Sequence, residues 1–167
     1  SIATPWVIGL LEKYNAKATF FCIGENIEKE KELFNLLKEK GHMVANHSWS
    51  HPDGLKTKTD LYVEDLIKGS ESSGSKIYRP PYGRIKKSQY KRLKELGHQA
   101  VFWSVLSYDF DPELETAERN KVLEKMVGSG SIVVFHDSPK AFPQLKEVLP
   151  VFMEKWSKEG YDFKTLQ

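Results

Sequence analysis

His47 and His51 stand four residues apart in His47-Ser48-Trp49-Ser50-His51, where an apolar run (Met43, Val44, Ala45) gives way to polar residues and Pro52. Imidazole is the commonest protein ligand for a divalent metal near neutral pH, and this spacing lets two rings reach one ion from a single short segment. Spacing alone leaves the plainer alternative open, a pair of strand-end histidines that are simply hydrogen-bonded. Three further residues could carry chemistry: Arg79, Asp109 and His136. Taken singly, Arg79 reads as a surface ion pair and Asp109 as a turn aspartate in Tyr108-Asp109-Phe110-Asp111-Pro112. His136 alone reads as a buried strand-end histidine bonded to backbone.

The elements that would position them alternate along the chain. Thr4 and Pro5 suit the N-cap and first position of a helix whose face is Val7, Leu10, Leu11 and Tyr14. An apolar, β-rich strand follows over 18–23, then a charged helix over 28–40 that reads as a solvated face, stopped by Gly41. A short strand over 43–46 leads into the histidine pair. Next come a helix over 59–68, an exposed loop over 69–76 (Gly-Ser-Glu-Ser-Ser-Gly-Ser-Lys) and a strand over 77–79 cut off by Pro80-Pro81. Helices are expected over 87–96, 116–127 and 144–158, the last kinked or split by Pro150; strands are expected over 99–103, 132–135 and 161–166. Strands alternating with helices imply right-handed βαβ units and a parallel sheet. Each candidate residue then lies at the C-terminal end of a strand or in the loop after it, the face where such folds build active sites.

Length and composition bound the reading. A chain of 167 residues is expected to form a single domain over 1–167 with a sizeable core. Hydrophobic residues at 40% and charged residues at 29% are ordinary for a globular protein, and the formal net charge is only +2. No dense basic block supports nucleic-acid binding, and no apolar run approaches the ~20 residues needed to span a bilayer. The single Cys22 cannot form an internal disulfide.

Five ordered motifs resemble the polysaccharide deacetylases of the NodB-homology type, carbohydrate esterase family 4. They are Ala18-Thr19-Phe20-Phe21-Cys22-Ile23-Gly24, His47 through His51, Arg79-Pro80-Pro81-Tyr82-Gly83, Trp103 through Phe110, and Val134-Phe135-His136. The resemblance implies an α/β fold, a distorted (β/α) barrel of about seven parallel strands. It also marks a departure, because that family's first motif, two adjacent aspartates serving as general base and third metal ligand, has no match in this chain. The chain opens on a helix with no strand before it, so a closed barrel would need a strand upstream of Ser1. The domain is therefore expected to be N-terminally incomplete. Where the family pairs its fourth-motif aspartate with tryptophan, Asp109 is followed by Phe110.

The resemblance further implies metal-dependent removal of N-acetyl groups from a glycan such as peptidoglycan or a chitin-like polymer. His47 and His51 would hold the ion, zinc first, with cobalt, nickel or manganese as alternatives. His136 would be the general acid, oriented by Asp109. Arg79 would brace the base, and the Tyr82 backbone amide would donate to the oxyanion. Trp49, Pro81, Phe110 and Val134 are the candidate substrate-contacting residues, each equally readable as core. Asp53 and Asp137 are substitutes for the base on paper only. A cell-envelope or secreted location is implied by the substrate class alone. Two other readings share these residues: a non-catalytic carbohydrate-binding relative lacking the base aspartate, and an O-acetyl (xylan) esterase.

Overall fold

The structure is a computed structural model that describes residues 2–166. Its α/β architecture with parallel strands is the one expected from the alternation of elements. Among the described residues there are seven α-helices and six strands, and these divide into two compact units. One unit runs from Ala18 to Phe102 and takes in Thr165 and Leu166. The other combines the first helix with the chain from Trp103 to Lys164.

The Ala18–Phe102 unit is built on a four-stranded parallel sheet in the order β1 (Thr19–Cys22), β2 (Met43–Asn46), β3 (Ile77–Tyr78), β4 (Gln99–Ala100). Register pairs Thr19 with Met43 and Cys22 with Asn46, so β1 and β2 end together just where the His47 loop begins. The charged segment after β1 forms two helices, α2 (Gly24–Lys29) and α3 (Lys31–Glu39), rather than one. The break is Glu30, which is non-helical at φ −123°, ψ 48°. Gly24 opens α2 instead of merely ending the strand, and it stands where a Cβ would meet the Trp49 ring at 2.6 Å.

The loop expected over 69–76 is mostly helix. Helix α4 runs Thr59–Ser73 and stops at Gly74 in the left-handed conformation. Tertiary contact overrides the loop-like composition: Gly69 is buried where α4 presses on the Ser48 backbone, and a Cβ there would come within 2.5 Å of it. Helix α5 (Lys87–Glu95) packs beside it, and Tyr62, Val63, Leu66, Tyr78 and Leu93 form the core of this unit.

The second unit contains α1 (Ala3–Lys13), a two-stranded parallel pair of β5 (Val105–Leu106) and β6 (Val133–Val134), α6 (Thr116–Met126) and α7 (Phe142–Lys158). Strand β5 has no counterpart among the expected strands. Thr4 is not the cap of α1; it lies inside the helix, buried, and its Oγ1 donates to Asp137 at 2.6 Å. Helix α7 continues through Pro150 and buries Leu145, Val148, Leu149, Phe152, Met153 and Trp156. No strand forms over 161–166; there the Leu166 N–H bonds to the Thr19 side chain instead of joining a ladder.

Candidate active site

The His47–His51 loop is held from beneath by side chains of β2 and α4. Asn46, fully buried at the end of β2, donates to the Leu66 carbonyl at 2.9 Å and to Ser70 Oγ at 2.8 Å. Its Oδ1 accepts the Ser48 N–H at 2.7 Å. Asp65 of α4 accepts from the Trp49 N–H (2.9 Å), the Ser50 N–H (3.2 Å) and the Ser50 hydroxyl (2.6 Å). Ser48 Oγ in turn accepts the His51 N–H at 3.0 Å. Every polar group of the loop that points inward thus has a partner, and the backbone is fixed even though Ser48 and His51 both sit at positive φ, 66° and 61°. Non-glycine residues tolerate that region only when their surroundings over-determine it.

This scaffold brings the two imidazoles together edge to face, with ring centroids 4.8 Å apart. His47 Nδ1 lies 2.8 Å from the Arg79 carbonyl oxygen. A carbonyl can only accept, so Nδ1 carries the proton and the lone pair of the neutral ring is on Nε2. Ligating histidines are commonly fixed in their tautomer by such a bond. Two nitrogen donors with one tautomer set by backbone fit the preferences of zinc and similar ions. Among the described residues no group of three His, Cys, Asp or Glu side chains is placed to hold a metal ion. Asp53 is engaged elsewhere, in an ion pair with Arg84 at 2.8 Å.

Arg79 follows β3. Its Nε and Nη2 donate to the Val101 and Phe102 carbonyls at 3.3 and 3.2 Å, and its guanidinium stacks over Phe21 at 4.0 Å. Burial pulls its pKa down to about 10, which still leaves it cationic at neutral pH. Pro81 is buried in the short turn Pro81–Gly83, whereas Tyr82 is 61% exposed at φ 58° and lays its ring 4.7 Å from that of His51. Trp49 is half-buried, packed on Gly24 with the Lys68 ammonium 3.7 Å above its ring.

The second unit holds the other candidate residues. Asp109 has no exposed surface and gives both carboxylate oxygens to His136: Oδ2 accepts the backbone N–H at 2.6 Å, and Oδ1 lies 2.8 Å from Nδ1. With a carboxylate as acceptor, Nδ1 is the donor and Nε2 is the atom left to exchange protons. The His136 side chain is 40% exposed, and the Phe110 ring meets it edge to face at 5.2 Å. Val134 is a buried position of β6. Asp137 accepts from Thr4.

The sequence reading therefore named the residues that meet in each unit: His47, His51, Tyr82 and the Arg79 carbonyl in one, Asp109, His136 and Phe110 in the other. It missed their supports. Asn46 and Asp65 sit in ordinary polar or charged stretches, and Gly69, read as the start of a loop, is the helical glycine that lets α4 approach the Ser48 backbone.

The profile of the family described as Polysaccharide deacetylase matches residues 1–101. A peptidoglycan-N-acetylglucosamine deacetylase from Bacillus cereus is 34% identical over 161 residues, 86% of this chain and 58% of that protein. The peptidoglycan-N-acetylmuramic acid deacetylase PdaA of Bacillus subtilis is 30% identical over 173 residues, covering 98% of this chain and 64% of PdaA. The chain thus spans less than two thirds of both relatives. Among solved structures, the crystal structure of the Bc1960 peptidoglycan N-acetylglucosamine deacetylase matches 98% of this chain and 79% of its own, with a TM-score of 0.89 at 29% identity.

Proposed function

The chain belongs to the polysaccharide deacetylase family, the NodB-type carbohydrate esterase family 4, and from that premise we propose that it hydrolyses the N-acetyl groups of a cell-wall glycan of the peptidoglycan kind. The observation that carries this reading is the Asp109–His136 pair, a fully buried carboxylate fixing both the backbone and the ring of one partly exposed histidine.

His47 and His51 are the residues that would hold a divalent ion, zinc first. When bound, such an ion acidifies water and polarises the acetamide carbonyl. Asp109 keeps His136 in the tautomer with its proton on Nδ1 and stabilises the ring when it is charged. His136 Nε2 delivers a proton to the amine nitrogen as the C–N bond breaks, so that the sugar leaves as a neutral amine. The Tyr82 backbone N–H donates to the oxygen that gains charge from the acetyl carbonyl. Arg79, cationic and tied to the Val101 and Phe102 carbonyls, would brace the general base that takes the proton of the attacking water, in this family an aspartate of the motif that has no match in this chain. Trp49, Pro81 and Tyr82 in one unit and Phe110 and Val134 in the other are the residues assigned to contact with the sugar.

The test is acetate release from N-acetylated peptidoglycan fragments, chitin oligomers and O-acetylated xylan, alongside calorimetric zinc titration. Release from the N-acetylated glycans is expected, with a loss of about 10²–10⁴-fold in His136→Ala and no change in zinc uptake. His47→Ala and His51→Ala should each weaken zinc binding. Release from xylan alone would assign an O-acetyl esterase, and glycan binding without any release would assign a non-catalytic relative.

A further inference from the structure

We propose that Arg119 is the positioning residue of the Asp109–His136 pair, acting through the backbone turn that carries Asp109. Arg119 is 2% exposed, which makes it one of the few cations in this chain withdrawn from water. Its hydrogen bonds go to the turn and to the first residue of its own helix. Nε donates to the Tyr108 carbonyl at 3.1 Å, Nη2 donates to the Asp111 carbonyl, and Nη1 lies 3.5 Å from Thr116 Oγ1. The two carbonyls bracket Asp109 and Phe110.

That turn needs an external clamp. Tyr108 is held at φ 57°, and the Tyr108 carbonyl also accepts the Asp111 N–H at 3.1 Å, closing the chain tightly around Asp109. Nor does the requirement of α6 itself account for the residue. Arg119 is the fourth residue of that helix, near the end where the helix dipole disfavours a cation. Among the described residues it forms no ion pair with a carboxylate. A guanidinium buried at that cost, with two donors on the carbonyls flanking Asp109, fits a role in aiming the carboxylate. Both Asp109 oxygens must stay within hydrogen-bond reach of His136, so a shift of the turn would loosen the imidazole directly.

The kinetic part of the test rests on the deacetylase reading; the spectroscopic part does not. Arg119→Met and Arg119→Lys are compared with the parent chain by thermal melting, kcat and KM, and the downfield proton resonance of His136 Nδ1–H, assigned by its disappearance in His136→Ala. In a folded Arg119→Met chain, well below its melting temperature, that resonance should broaden or vanish. Its kcat should fall about 10²-fold, with KM little changed. A folded variant that keeps both the resonance and kcat overturns the proposal, since a merely structural arginine would move only the melting temperature. If Arg119→Met does not fold, the decision passes to Arg119→Lys, which keeps the charge but cannot span both carbonyls. A shifted resonance with reduced kcat supports the role, and parental values for both overturn it. A parent chain inactive on every acetylated glycan would instead sink the deacetylase reading, leaving the resonance to decide on Arg119.

Discussion

A carboxylate without exposed surface is stable only if its oxygens are taken up, and Asp109 places both on His136. Asp109→Asn preserves size but turns one acceptor into a donor facing an N–H group, so either the His136 backbone contact or the Nδ1–H contact is lost. Acetate release should fall about 10²–10⁴-fold with the fold intact. Adding His136→Ala should cost little more, because the two residues act as one unit. Near-parental rates in Asp109→Asn would remove Asp109 from the mechanism. At this scale the sequence was informative where chemistry demands particular side chains at strand ends. His47, His51, Arg79, Asp109 and His136 are of that kind. It was silent on Asp65 and Arg119, because a helical Asp or Arg holding a loop is indistinguishable by type and spacing from one facing water. Only the partner across the turn makes the difference.

Helix α4 shows how an element can serve as a template. Asp65, the Leu66 carbonyl, Gly69 and Ser70 lie on one helical stripe, and all meet the segment from Asn46 to Ser50. A Cβ at Gly69 would lie 2.5 Å from Asn46 Oδ1 and 2.5 Å from the Ser48 carbonyl carbon. Gly69→Ala should gain about 1 kcal/mol in helix propensity and lose about 1–3 kcal/mol to overpacking against backbone that cannot move aside. The clash should win. A fall of about 2–8 °C in melting temperature is expected, and an unchanged or higher value would show that the loop yields. The same glycine explains why the helix was read as ending early: Gly-Ser-Glu-Ser-Ser-Gly is loop-like by composition, and only packing on the histidine loop keeps it helical. Strand β5 lies just beyond the apolar run 99–103, where Ser104 and Ser107 flank only Val105 and Leu106, and 161–166 has the alternation of a strand because Tyr161, Phe163 and Leu166 are half-buried without pairing in a ladder.

On the scale of the molecule, alternating βα segments were legible, and parallel pairing follows from them because the intervening helices return the chain to the same edge. Each compact unit has its own interior. Leu66 anchors one and Leu145 the other, both with no exposed surface. Leu66→Ala and Leu145→Ala should each cost about 2–5 kcal/mol in urea denaturation, and a value below 1 kcal/mol for either would mean that its surroundings collapse to fill the gap. The tryptophans divide unevenly between the units. Trp6, Trp103 and Trp156 belong to one, and Trp49 alone belongs to the other, seated between His47 and His51 with Lys68 over its ring. Replacing the first three by phenylalanine would leave a chain whose tryptophan fluorescence comes solely from the histidine loop, so that whatever settles there announces itself in the emission.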